Sequence, residues 1–152
     1  MKLTTKWQAR LGWAMVAVCA LWLLWMTLRP QAQVSSQLTY ITAPARAHGV
    51  SVRFLIDFLG NIAVFVPLGA AAAFALPPRP LKTRLTTATA IGAGLSAAIE
   101  LAQHFVPGRD SSLNDWLLNT LGALIGAAIA VILTGRRKTH DFTAKCAEVA
   151  EK

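Results

Sequence analysis

Residues 85–133 read LTTATAIGAGLSAAIELAQHFVPGRDSSLNDWLLNTLGALIGAAIAVIL. Two apolar runs within this stretch, Leu85 to Val106 and Leu113 to Leu133, are each close to the roughly 20 residues a helix needs to cross a bilayer core. Only PGRDSS separates them, a connection short enough to make antiparallel neighbours. The first run is rich in Gly, Ala, Ser and Thr, which suits close helix contact better than lipid exposure. Gly92 and Ser96 form a small-xxx-small pattern there, and Gly122 and Gly126 form GxxxG in the second run. Both patterns are expected to pack within one chain, the third span on the fourth, with homo-oligomerisation as the alternative.

Two further spans extend outward from this hairpin. LGWAMVAVCALWLLWMTL, Leu11 to Leu28, is uncharged, and Trp7, Trp13, Trp22 and Trp25 place indoles towards its ends, where amphipathic rings favour the headgroup region. It is longer than a secretory h-region, and LRPQAQ after it offers no A-x-A-like cleavage site, so a retained anchor is expected. Phe54 to Leu76 is the second span. Pro67 within it removes a helix hydrogen bond and is expected to bend it, while Gly69 admits a close neighbour. PPRPLKTR makes spans two and three close antiparallel neighbours, and residues 29–53 form a polar loop. Of 152 residues, 55% are hydrophobic and 14% charged, with a mean hydropathy of +0.48, too apolar for an ordinary soluble domain. The expected fold class is therefore all-α, a compact bundle of four transmembrane helices over residues 11–134. A short N-terminus (1–10) precedes it and a basic tail (135–152) follows. Cys19 lies in a span and Cys146 in the tail, so no disulfide is expected.

Orientation follows from the basic residues. Eleven of the 15 Lys and Arg fall in the N-terminal segment, the second connection and the C-terminal tail, against Arg29, Arg46, Arg53 and Arg109 on the other side. By the positive-inside rule both termini are expected to be cytoplasmic. The net charge of +8 thereby reflects insertion and anionic headgroups, and no nucleic-acid partner is expected.

All four acidic residues outside the tail, Asp57, Glu100, Asp110 and Asp115, lie at the outer end of this bundle. Asp57 and Asn61, Glu100 and His104, and Asp115 and Asn119 are each spaced i, i+4 and so share a helix face. Gln103 lies beside Glu100. Carboxamides placed this way are able to donate to carboxylates. Glu100 stands seven residues before Pro107, about 10 Å into its helix, too deep to snorkel, so it should face inward. Arg109 in the turn is a cation able to fold back on Glu100, Asp110 or Asp115. His104 is expected at the interface. Part of SSLND is helix-start chemistry, with Ser112 and Asp115 at capping-box spacing and Asp110 or Ser111 as alternative caps.

NIAVFVPLG and SAAIELAQHFVPGRDSSLNDWLLNTLGALIG resemble the two signature regions of the VanZ-like family. These are an N-x-x-x-F-x-P-L-G helix, then an I-E-x-x-Q helix followed by G-R and a D-x-x-x-N-T-x-G helix. The resemblance covers residues 54–134 and implies a small polytopic bacterial inner-membrane protein of the cell envelope, in a family named for a protein associated with teicoplanin resistance. By position it implies a polar set of Asn61, Glu100, Gln103, Arg109, Asp115 and Asn119. Two functions compete for these residues. One is an outward-facing pocket that binds a lipid headgroup, glycolipid or lipoglycopeptide. The other is a membrane enzyme using Glu100 and Asp115 as acid and base on a lipid-linked envelope substrate. No cofactor is expected, and no metal, since HExxH spacing and a Cys cluster are lacking. Membrane lipids are the expected partners.

Overall fold

The computed structural model describes residues 2–29, 52–106 and 112–150, with side chains for 6–29, 58–106 and 112–135. Helix α1 runs Lys2–Thr27, α2 Val52–Ala75, α3 Leu81–Gln103 and α4 Leu113–Ala150; no strand occurs among the described residues. Each holds a stretch long and apolar enough to cross a membrane: Lys6–Thr27, Phe58–Ala75, Leu81–Gln103 and Leu113–Gly135. The expected all-α bundle of four membrane helices is what the chain forms.

Helix ends depart from the apolar runs where backbone chemistry decides them. Helix α2 stops at Ala75, just before Pro77 and Pro78, and α3 resumes after Pro80. Proline cannot continue a helix as a donor, whereas its fixed φ suits the position before one. Helix α2 continues through Pro67. Helix α4 runs past Leu133 into the basic tail, because no proline follows Pro107 in the sequence.

Helix α2 packs most extensively on α4, α3 also lies on α4, and α1 docks on α2 from outside. The stripe that α3 turns inward is Ala88, Gly92, Ser96, Ile99 and Gln103, a spacing of three and four that keeps one face on its neighbours. Its small members allow close approach. A Cβ built on Gly92 would collide with Ala123 of α4.

The GxxxG residues of α4 face α2. A Cβ on Gly122 would overlap the Ile62 carbonyl oxygen, and one on Gly126 that of Val66. Gly69 of α2 lies reciprocally against the Ala123 carbonyl. The glycines therefore pack within the chain, as expected, but on the second span; the expectation that they seat α4 on the third is corrected. The reason is size. Only a glycine stripe lets α4 reach the α2 backbone, whereas α3 meets α4 through Gly92, Ser96 and the polar groups described below.

Two clusters fill the interior. Phe65, Leu68, Leu23 and Ile99 form one, and Ala72, Ala73, Ala88, Ala127 and Val131 the other. The second is almost all alanine, so its helices can lie closer than leucine would permit. The indoles of Trp7, Trp13, Trp22 and Trp25 remain exposed on α1, as a lipid-facing anchor requires.

Candidate functional site

The end of the bundle where α1 and α3 finish and α4 begins is tied together by polar side chains of α2, α3 and α4 and by a backbone carbonyl of α1. Ser112 precedes α4, and its carbonyl accepts the Trp116 N–H at 3.2 Å. Its own N–H belongs to the set that a helix start leaves without intrahelical partners. Glu100 Oε2 accepts it at 2.8 Å from α3. Glutamate in a capping box makes this contact from three residues further on; here it comes from the neighbouring helix.

Asp115, in the first turn of α4, reaches the opposite way. Its Oδ1 accepts Asn61 Nδ2 of α2 at 2.9 Å. Both Glu100 and Asp115, half-buried, thus gather at the start of α4, where the positive end of the helix dipole favours anions. Asn61 is the carboxamide that meets a carboxylate as the sequence suggested. The other two found different acceptors.

Gln103 is only 6% exposed and donates through Nε2 to the Thr27 carbonyl at 3.2 Å, in the last turn of α1, where intrahelical donors run out. Asn119 is 5% exposed and donates through Nδ2 to Ser96 Oγ at 2.9 Å. One turn along from Asp115, it lies on the same face of α4. Its Oδ1 is buried and has no hydrogen-bond partner among the described residues. A buried amide oxygen left unmet costs about 1–3 kcal/mol, so this acceptor stands out.

Three residues at this end were not picked out as site candidates in the sequence. Trp116 Nε1 donates to the Ala93 carbonyl at 3.0 Å, joining α4 to α3 beside the carboxylates. An indole in the first turn of a span is a signal for headgroup depth, although it does not name a carbonyl. Ser96, read only as a small packing residue, supplies the hydroxyl for Asn119. Arg29, counted only as a charge on the loop, folds onto α1: its guanidinium stacks 3.6 Å over the Trp25 ring and meets Met26 Sδ at 3.5 Å.

His104 is exposed and meets Phe105 edge to face at 5.9 Å, in keeping with an interfacial position. The side chain of Asp57, and all of Arg109, Asp110 and Ser111, lie outside the described residues; the expected Arg109 pairing and the Asp110 and Ser111 caps lie there too. Among the described residues no three His, Cys, Asp or Glu side chains gather as a metal site.

Among the described residues, Asn61, Gln103, Asn119 and Trp116 each donate one hydrogen bond within the protein, while the buried amide oxygen of Asn119 is left unmet. Such an oxygen suits a ligand donor, whether hydroxyl, amide N–H or ammonium.

Comparison with known proteins adds one finding. The model of the family described as VanZ/LLP1 matches residues 13–134, which takes in most of α1, all of α2 and α3, and α4 as far as the edge of its apolar part. None of the curated proteins matches the chain, and none of the solved structures does.

Proposed function

The chain belongs to the VanZ/LLP1 family and is a multi-pass membrane protein, and from these premises we propose that its polar end binds the sugar or peptide part of an envelope glycolipid or lipoglycopeptide. The protein then sits in the inner membrane with both termini cytoplasmic and the Glu100–Asp115 end outward, the orientation that the distribution of Lys and Arg favours. The observation that carries the reading is the buried, unmet Oδ1 of Asn119, on the same face of α4 as Asp115. Sugar hydroxyls and peptide N–H groups are the donors that such acceptors recognise. Of the candidate ligands, glycan or peptide offers the donor that the unmet Asn119 oxygen lacks, which a bare anionic phosphate does not. Arg109, by its place in the sequence, is the residue to meet a ligand's phosphate or carboxylate.

The test is a thermal-shift series on the purified chain in detergent, with an undecaprenyl-linked disaccharide and teicoplanin as probes. The disaccharide or teicoplanin should raise the unfolding midpoint of the wild type and not that of Asp115→Asn. No shift with either would overturn the reading. Mass spectrometry of the recovered glycolipid tests the enzymatic alternative, since a changed mass that requires Glu100 and Asp115 would replace binding with catalysis.

A further inference from the structure

The opposite end of the bundle carries a cleft of about 280 Å³. Ala9 and Trp13 of α1, Phe74 and Pro77 at the end of α2, Arg84 of α3 and Thr134 of α4 are among the residues that line it. Arg84 is half-buried and donates through Nη2 to the Ala73 carbonyl at 2.8 Å. The sequence explains why that carbonyl is available. The helical donors for Ala73 and Phe74 would come from residues 77 and 78, both prolines, which have no N–H. Arg84 caps one of these orphaned carbonyls from the next helix, a favourable place for a cation.

That contact leaves the guanidinium only partly used. Arg84 Nε is buried and has no hydrogen-bond partner among the described residues. An unpaired donor on a buried cation is costly, and guanidinium is the side chain whose donors best fit phosphate. The neighbouring charges point the same way. Lys82 and Arg84 occupy the first turn of α3, which has no acidic residue there, and its N-cap, Pro80, supplies no side-chain hydrogen bond. Arg79, Lys82, Lys6 and Arg10 are exposed nearby in the sequence of the same end. Cations at the positive end of a helix repel it unless an anion joins them. The indole of Trp13 and the ring of Phe74 give the same cleft an apolar wall.

We propose that this cleft binds the phosphodiester headgroup of an anionic glycerophospholipid, with the Arg84 guanidinium donating to a phosphate oxygen and Trp13 and Phe74 flanking the glycerol and first methylenes. The site lies away from the Glu100–Asp115 end, so neither proposal depends on the other.

The full chain purified in mild detergent is the sample, and dioleoylphosphatidylglycerol, dioleoylphosphatidylcholine and inorganic phosphate are the probes. Phosphatidylglycerol should raise the unfolding midpoint and remain bound at one copy by native mass spectrometry, while phosphatidylcholine and phosphate should do neither. Arg84→Gln, whose amide ends where Arg84 Nε lies, removes the charge and the bond to the Ala73 carbonyl and should weaken phosphatidylglycerol binding about ten-fold. Ala9→Phe fills the cleft from α1 without touching Arg84 and should weaken it similarly; if Arg84→Gln does not fold, this variant decides alone. Equal stabilisation by phosphatidylcholine would overturn the headgroup preference, and an equal shift with inorganic phosphate would make the ligand a free anion. Unchanged affinity in Ala9→Phe would overturn the site.

Discussion

Replacing Gly126 with alanine adds one methyl group and should destabilise the bundle, although the same change in an open helix does the reverse. The new Cβ would overlap the Val66 carbonyl oxygen and lie 2.8 Å from the Val66 carbonyl carbon and 2.9 Å from the Ala70 nitrogen. All three are backbone atoms of α2, so no rotamer change gives relief and the two helices must separate. Overpacking of this kind costs about 1–3 kcal/mol. Alanine recovers roughly 0.5–1 kcal/mol over glycine within a helix, leaving a net loss of up to about 2.5 kcal/mol. The loss should spread along the seam, because Gly122 lies against Ile62 in the same way and the Asn61–Asp115 bond crosses it one residue earlier on α2. Gly94 supplies the control: nothing lies within 4 Å of a Cβ built there, so Gly94→Ala should gain about 0.5–1 kcal/mol. Unfolding in mixed micelles, followed by circular dichroism against denaturing detergent, compares the two. Gly126→Ala as stable as Gly94→Ala would refute α2–α4 contact through the glycine stripe.

Four other outcomes are expected. Glu100→Ala should cost about 1–2 kcal/mol, because it strips the acceptor from the Ser112 N–H, and Glu100→Gln roughly half as much, because its amide oxygen still accepts; equal midpoints for both variants and the wild type would show the contact to be idle. Asn119→Leu removes the unmet oxygen but also the bond to Ser96 Oγ, so thermal unfolding should show a loss of about 1 kcal/mol while the glycolipid or teicoplanin shift disappears; a shift that survives would exclude Asn119 from the site. Trp116→Phe should cost about 1 kcal/mol through the Ala93 bond, measured in the same unfolding assay, and no cost would mean that the indole N–H is equally well served by solvent or headgroups. Reporter fusions at Lys152 and near Ala43 should report cytoplasmic and periplasmic locations respectively; the opposite result would place the carboxylate end inside the cell.

Composition and span length determine the class of this protein by themselves. Four apolar stretches, interrupted by prolines and basic segments, leave no other arrangement for the backbone in lipid than helices. The prolines after Ala75 also determine where α2 ends, and Glu100, Gln103, Asp115 and Asn119 were recognisable as one polar end, because i, i+4 spacing fixes a helix face regardless of context. Partner choice is different, since it depends on how each helix is rotated and how closely it approaches its neighbours. The short turn between the third and fourth spans suggested that Gly122 and Gly126 face α3, yet backbone proximity to Ile62 and Val66 directs them to α2. The same rotation sends Asp115 to Asn61 and Asn119 to Ser96, and makes Glu100 the acceptor for a backbone N–H. Arg84 shows the limit most clearly. Its charge was legible as part of a basic segment, but only the packed chain brings it to a carbonyl that Pro77 had left without a donor.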